Sequence, residues 1–235
     1  MSNNSRLSRR VFLKHSMTMV FLSGMVNYGY SLPKEDEALI TKRRKLDKAS
    51  PMIPPVPAIL LTVNGLDQGP DEISVAWTFV INSNPPQIGI SVHRDHVSRA
   101  LIQKHKQFVL NVPTAGMAES FDIVDMNSKE TGDKFALTNL TRGKAIKINA
   151  PTIEESPIQV ECQVFKEVKV EPVRTLFLAE VVATTIHDHA CDKNGRLKVS
   201  QVPFFGMTVG SGEFYTMGKM VGHIGQSVNR DDIEY

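Results

Sequence analysis

The sequence predicts a mainly β fold, a closed or nearly closed antiparallel barrel with short helical insertions. Apolar and polar residues alternate cleanly over 158–170, as they do along a strand with one buried face. Several shorter apolar runs end at Gly, Pro or Asn, and such boundaries indicate further strands. The regular alternation of strands and helices that builds a parallel sheet is missing. Many strands with few helices are typical of a barrel.

The first half of the folded region contains the shorter strands. Each is a mostly apolar run that stops at Asn-Gly, at proline or at a polar segment, and these residues terminate strands. The clearest break is Asn-Ser-Asn-Pro-Pro at 82–86. The predicted strands cover 58–63, 73–80, 87–92 and 108–112.

Three short helices are predicted among these strands. The first covers 98–105, where the hydroxyl of Ser98 is placed to cap the helix N-terminus. Residues 117–124 and 134–137 predict two more helices around an acidic loop that contains glycine. The second half then predicts long strands, at 158–170 and 175–187, and a tight turn, Asp-Lys-Asn-Gly, at 192–195.

The two cysteines, Cys162 and Cys191, predict free thiols. An oxidising compartment would permit a disulfide between them, but two cysteines without a C-x-x-C motif do not form a disulfide framework. Cys162 alternates with apolar neighbours in 158–170, which predicts a buried strand residue.

The N-terminus predicts export. Residues 8–14, Ser-Arg-Arg-Val-Phe-Leu-Lys, resemble the twin-arginine signal at every fixed position. The apolar run that follows is too short for a transmembrane helix. The resemblance implies a periplasmic protein exported in its folded state, or a membrane-anchored one if the signal stays uncleaved. The predicted organisation is a signal peptide at 1–32, a charged and proline-rich spacer at 33–54, one domain at 55–224 and a polar tail at 225–235.

Composition and motifs exclude several classes of function. The formal net charge of +2 gives no basic face for nucleic acid. There is no G-x-G-x-x-G or G-x-S-x-G motif, and the loop at 212–219 is one residue too long for a phosphate loop. His187, His189 and Cys191 have metal-ligand chemistry but lack a fourth ligand at suitable spacing, so we expect no metal site.

An ordered set of short blocks carries a family resemblance. Each block alone is weak evidence for a family, but the order and spacing of all the blocks together are specific. From about 54 to 222 the chain resembles the flavin reductase-like family, and its flavoredoxin-like branch most closely. The resemblance implies a Greek-key FMN-binding split β-barrel and a homodimer with FMN at or near the subunit interface. The blocks are Pro-Val-Pro at 55–57, Ser-Val-Ala-Trp at 74–77, Ser-Asn-Pro-Pro at 83–86, Ile-Ser-Val at 90–92 with 94–98, Phe-Val-Leu-Asn-Val-Pro at 108–113, Gly-Asp-Lys-Phe at 132–135, Ala-Pro at 150–151, Val-Glu-Cys at 160–162 and Tyr-Thr-Met-Gly-Lys at 215–219.

Residue chemistry agrees with each part of FMN. The phosphate needs cations, hydroxyls and N–H donors, the ribityl chain needs small polar partners, and the ring needs an apolar wall with a few hydrogen bonds. Three residues also have a purely structural interpretation. In that interpretation Trp77 is a core residue, Lys134 is a solvated surface lysine, and Arg94 pairs with Asp95 or another acid. The candidates are Arg94, Ser98 and Lys134 for the phosphate, Ser74, Thr78 and Ser91 for the ribityl chain, and Trp77 and Asn111 for the ring, with Val75 and Ala76 in the same segment.

The family pattern adds specific positions. Trp77 matches the tryptophan beside the flavin, Ser98 a threonine near the phosphate, and Lys134 the lysine of the Asp-Lys-Phe block. Arg174 stands where close relatives carry a histidine. An asparagine of relatives falls at Asp71 or Glu72, and a late aromatic residue near the flavin falls at Phe204 or Phe205.

The resemblance implies an oxidoreductase that transfers electrons through bound FMN, by hydride transfer from NAD(P)H to flavin N5. That chemistry belongs to the cofactor and needs no acid or base side chain. Because NAD(P)H is cytoplasmic, export favours a competing hypothesis, a flavin-binding electron carrier supplied by a redox partner protein. A pyridoxamine-phosphate-oxidase-like enzyme is a remoter alternative.

Overall fold

A computed structural model describes residues 44–53, 55–65, 71–127 and 132–227 of the 235-residue chain. The predicted signal peptide, most of the spacer and residues 228–235 of the predicted tail lie outside these ranges. The chain divides into two units, 1–49 and 50–235. Of the first unit only 44–49 are described, and they are exposed, without helix or strand. Within the described ranges, no helix is long and apolar enough to cross a membrane.

Strands dominate the second unit, and they pair antiparallel throughout the described residues. The strands are β1 (Val56–Pro57), β2 (Leu60–Val63), β3 (Glu72–Val75), β4 (Trp77–Ser83), β5 (Pro86–His93), β6 (Gln107–Val112), β7 (Arg142–Lys144), β8 (Pro151–Ile153), β9 (Ile158–Val170), β10 (Arg174–Ile186), β11 (Phe205–Met207) and β12 (Phe214–Thr216).

Helices are few and short. The described residues contain α1 (Val97–His105), α2 (Ala118–Met126) and α3 (Lys134–Thr138). Short 3₁₀ turns lie at Ala115–Met117, Asp188–Ala190 and Val199–Gln201.

Seven strands form one curved sheet in the order β3-β2-β6-β9-β10-β5-β4. Its two edge strands, β3 and β4, are consecutive in the chain and separated only by Ala76. The sheet must therefore curl until its first and last strands meet at Ala76. No ladder joins β3 to β4 among the described residues, so the barrel stays open along one seam, here called the split. This architecture confirms the predicted antiparallel barrel with short helical insertions.

Two apolar cores lie on opposite faces of β2 and β3. Leu61 and Val63 of β2 pack in the barrel core with α1, whereas Leu60 of β2 packs in a second core with α2 and α3. All four residues of β2 are buried, because both faces of the strand are covered. The barrel core anchors α1 beside the split through Leu101 and Ile102.

Most predicted elements are present, with two corrections. The strand expected at 73–80 is two strands, because Ala76 turns the chain from one edge of the sheet to the other. Ser98 does not cap α1: the helix begins at Val97, His96 is the capping position, and no side chain caps it. The long strand β9 has the predicted bounds, Ile158–Val170.

The cysteine predictions are confirmed. Cys162 and Cys191 are both free thiols. Cys162 is fully buried in the barrel core, and burial raises the pKa of its thiol to about 12, with a smaller contribution from Glu161. A thiol with so high a pKa stays protonated and unreactive at neutral pH.

Candidate functional site

A buried hydroxyl pair joins the split to α1. Ser74 lies on β3 opposite Leu61 of β2, so its side chain shares the face of the barrel core. Its hydroxyl donates to the hydroxyl of Ser98, in the first turn of α1, at 2.8 Å. Both serines are fully buried. The structure thus brings together two predicted site residues that are 24 positions apart in sequence.

A buried ion pair lies two residues earlier on the same strand. Glu72 accepts a hydrogen bond from the ammonium of Lys134. Lys134 occupies the first turn of α3, and Asp133 caps that helix by accepting from the backbone N–H groups of Phe135 and Ala136. Burial raises the pKa of the Glu72 carboxyl to about 7, against the lowering effect of the hydrogen bond and charge of Lys134.

Arg142 holds α3 against this edge of the sheet. Its guanidinium pairs with Asp71 at 3.5 Å and with Asp133 at 2.6 Å, and it lies 4.2 Å from the ring centroid of Phe135. Arg142 thus links the residue before β3 to the residue before α3, next to the buried Glu72–Lys134 pair.

The other side of the split carries an aromatic and cationic pair. The guanidinium of Arg174, at the start of β10, lies 3.9 Å from the ring centroid of Trp77 on β4. It also donates to the backbone carbonyl of Ser91 at 3.2 Å. Partial burial lowers the pKa of Arg174, and its charge is retained because an arginine pKa starts above 12. Trp77, Ser91 and Arg174, all predicted from sequence, therefore form one contact group.

His96 is a site residue that the sequence analysis missed. It precedes α1, and within the described part of the chain its buried Nδ1 has no hydrogen-bond partner. Burial, then His93, Arg174 and Lys134, lower the pKa of His96 to about 4, while Asp95 raises it slightly. Arg174 and Lys134, one on each side of the split, thus both act on the charge of His96. The only sequence signal was its position inside the 94–98 block.

Two aromatic side chains on β4, Trp77 and Phe79, are here called the aromatic platform. Trp77 and Phe79 are two residues apart and face the same side of the sheet. Phe79 lies across Gly89 of β5, where an added Cβ would meet the ring at 2.3 Å. The glycine thus lets the ring lie against the backbone. Trp77 is half-buried, and 44% of Phe79 is exposed, so the platform remains accessible to a planar ligand.

Asn111 does not join this group. Its amide nitrogen donates to the carbonyl of Leu60 and to the hydroxyl of Thr62, and its oxygen accepts from the N–H of Ile153. The side chain is fully buried and fastens β2, β6 and β8 together. These contacts give Asn111 a role in the scaffold, and its predicted contact with a flavin ring stays a prediction.

Four other predicted residues contribute little side-chain chemistry to the cluster. Arg94 is exposed, and its Nε lies 3.6 Å from Oδ1 of Asp95. This is the ion pair considered in the sequence as the structural alternative for Arg94. The hydroxyl of Thr78 donates to the carbonyl of Gly89 at 3.4 Å. Val75 and Ala76 are buried in the two apolar cores, so they can meet a ligand only through the backbone at the split.

The two late phenylalanines line a separate apolar cleft of about 300 Å³. Phe205 also packs edge-on against Phe121, with centroids 5.5 Å apart. The cleft has no charged side chain in its lining, so it does not resemble a phosphate site. Its lining comprises Pro55, Pro57, Ala58, Val112, Ile158, Leu197, Val199, Phe204, Phe205, Gly206, Tyr215, Thr216 and Met217.

Within the described ranges, no group of three or more His, Cys, Asp or Glu side chains is arranged to hold a metal ion. The rings of His187 and His189 lie 5.4 Å apart in a 3₁₀ turn after β10.

Fold and site together define a class of protein. It is an antiparallel split barrel with a buried hydroxyl pair and a buried ion pair on one strand beside the split and an aromatic and cationic pair on the other. Residues 54–200 match the flavin reductase like domain, and the chain belongs to that family. This confirms the family resemblance found in the sequence.

Individual proteins and solved structures are similar to this chain. An uncharacterised protein of Pyrococcus abyssi is 26% identical over 130 residues, which cover 55% of this chain and 74% of the relative. Flavoredoxin of Desulfovibrio vulgaris has a similar structure, with a TM-score of 0.73, 22% identity and coverage of 79% of this chain and 99% of the other. Flavoredoxin from Methanosarcina acetivorans gives a TM-score of 0.70, 24% identity and the same coverages. These similarities support the fold.

Proposed function

We propose that this protein binds FMN at the split and acts as an oxidoreductase of the flavin reductase and flavoredoxin type. The observation that carries the proposal is the set of groups on the two strands that border the split: the buried Ser74–Ser98 and Glu72–Lys134 pairs on β3 and the Trp77–Arg174 pair on β4. Bound FMN supplies hydride and electron transfer, and the protein supplies binding, orientation and electrostatics.

The residues present fit the two ends of FMN. The buried Nδ1 of His96 has no hydrogen-bond partner in the described structure, and a phosphate would give it one. The hydroxyls of Ser74 and Ser98 and the guanidinium of Arg174 are further donors for phosphate oxygens. The exposed parts of Trp77 and Phe79, outside the contacts with Arg174 and Gly89, suit a planar ring, as apolar walls do in small-molecule sites.

We propose NAD(P)H as the electron donor. The test is anaerobic mixing of the purified FMN-bound protein with NADH or NADPH while flavin absorbance is followed. Loss of the oxidised flavin spectrum within seconds supports a reductase. Dithionite is the control, because it reduces accessible flavin directly. Reduction by dithionite but by neither nicotinamide contradicts NAD(P)H as the donor and favours the carrier described next.

A second candidate function is an exported FMN-binding electron carrier that receives electrons from a redox partner protein. The observation that favours it is the pattern at 8–14, with Arg9 and Arg10 ahead of Phe12 and Leu13. Twin-arginine signals are read by a receptor. Lysine cannot reproduce the planar guanidinium, so Arg9→Lys combined with Arg10→Lys keeps the charge but should abolish export.

Cell fractionation with flavin fluorescence tests export directly. Wild type should appear in the periplasm with FMN, and the double variant should stay in the cytoplasm, folded and still holding FMN. Equal export of both proteins contradicts a twin-arginine signal. A cytoplasmic wild type contradicts the periplasmic assignment and leaves the NAD(P)H-dependent reductase as the better hypothesis.

We also propose a homodimer. The edge strand β4 exposes a run of apolar side chains: Phe79, Val80 and Ile81 are 44%, 78% and 40% exposed. Exposed apolar residues on an edge strand favour association with another chain. This strand begins at Trp77, so a second copy seated on it would lie beside the platform and shield bound flavin. Light scattering on the purified protein measures the oligomeric state.

A further inference from the structure

Glu72 is an unexpected neighbour for a phosphate. The side chains of Glu72 and Lys134 are 4% and 0% exposed, and Glu72 lies two residues from Ser74 on the same face of β3. A carboxylate there opposes an incoming phosphate by like-charge repulsion. It also occupies the ammonium of Lys134 through their hydrogen bond.

The charged groups around Glu72 leave it one partner. Opposite it, β2 presents the apolar Val63, and the start of α3 presents Lys134. Asp71 points away to pair with the exposed Arg142. Arg174 and His96 are more distant groups that act on each other. Neither forms an ion pair with Glu72 in the described structure. The charge of Glu72 is therefore balanced by Lys134 alone.

We propose that Glu72 makes phosphate binding at this site dependent on a proton: it neutralises Lys134 in the free protein, and a flavin phosphate gains Lys134 only when Glu72 takes up a proton from solvent. The inference rests on the proposed FMN function. It makes Glu72 a positioning residue that acts through Lys134. The protonated carboxyl no longer repels the phosphate, and the ammonium of Lys134 donates to the phosphate instead.

The direction of the pH dependence follows from the carboxyl group. In the free protein burial raises the pKa of Glu72 to about 7, so at pH 8 the carboxyl is mostly ionised. A phosphate dianion beside it raises this pKa further, so binding at pH 8 consumes a proton. Affinity should therefore fall as pH rises above 7, by up to about tenfold per pH unit, since that is the limit for one linked proton.

Isothermal titration at pH 8, in two buffers of different ionisation enthalpy, measures the protons taken up on binding. The phosphate of FMN is already dianionic there, since second phosphate pKa values lie near about 6, so it contributes no proton of its own. We expect uptake of up to about one proton with FMN and none with riboflavin, which has the same ring but lacks the phosphate.

Two variants assign the proton. Glu72→Gln keeps the shape but cannot ionise, so FMN binding should lose both its proton uptake and its decline with pH. His96→Asn is the matched control: it removes a second titratable group near the split and should weaken FMN binding but retain the uptake. The comparison of FMN with riboflavin in the wild type needs neither variant to fold.

Each result has one meaning. Uptake with FMN alone that disappears in Glu72→Gln and persists in His96→Asn supports the proposal. FMN binding without uptake in the wild type overturns it and leaves the FMN function standing. Uptake that persists in Glu72→Gln also overturns it. A protein that binds no FMN overturns the proposed function and this inference together.

Discussion

Replacing Lys134 with alanine is expected to lower FMN affinity by about ten- to a hundredfold while changing riboflavin affinity little. The ammonium is fully buried and pairs with Glu72, two residues before Ser74 on β3, so its loss removes the proposed charge-assisted hydrogen bond to the phosphate, worth about 1.5–3 kcal/mol. The variant also leaves Glu72 without its partner. Fluorescence titration with both flavins measures the two affinities.

Lys193→Ala is the matched control for that experiment. It removes the same charge from the exposed turn after β10, at the opposite end of that strand from Arg174. It should leave both affinities unchanged. A thermal melt checks that Lys134→Ala is folded. Equal losses of FMN and riboflavin affinity would place Lys134 away from the phosphate and contradict the site.

Replacing Trp77 with alanine is expected to weaken FMN and riboflavin alike, by about ten- to a hundredfold. The indole supplies the platform for the ring, and stacking of a heterocycle on an aromatic side chain is worth about 1–3 kcal/mol. The substitution also removes the partner that orients Arg174, whose guanidinium lies 3.9 Å from the indole ring. Parallel titrations with the two flavins measure the effect.

Trp77→Phe should recover most of the riboflavin affinity, because a smaller aromatic face keeps the stacking surface. This variant separates a ligand wall from a core residue. If the Trp77→Ala protein loses stability but retains its riboflavin affinity, Trp77 is a core packing residue. The flavin ring must then bind elsewhere.

The fold could be predicted where local patterns carry it. The alternation over 158–170 is strong enough to give β9 its bounds, and the segment at 82–86 marks the turn between β4 and β5. The division of 73–80 at Ala76 could not be predicted. The division is caused by the curvature of the whole sheet, which brings β3 and β4 to opposite sides of the split. No residue near Ala76 signals this change of strand in the sequence.

The site was predictable in its composition but not in its contacts. Trp77 and Ser91 were named from blocks and residue chemistry and Arg174 from the family pattern, and the structure brings them together. The pairing of Glu72 with Lys134 spans 62 positions and depends on where α3 docks. Asn111 suited a flavin chemically, but three strands use its amide, and strand packing of that kind is not visible in sequence.

Titration of the cofactor-free protein with FMN, followed by tryptophan fluorescence, tests the central claim most directly. Trp77 is the single tryptophan of the chain, so the signal comes from the proposed platform itself. We expect saturable quenching at one FMN per chain, weaker binding of riboflavin, and release of intact FMN on denaturation. A protein that is colourless as isolated and whose tryptophan fluorescence does not respond to FMN would contradict an FMN site at the split.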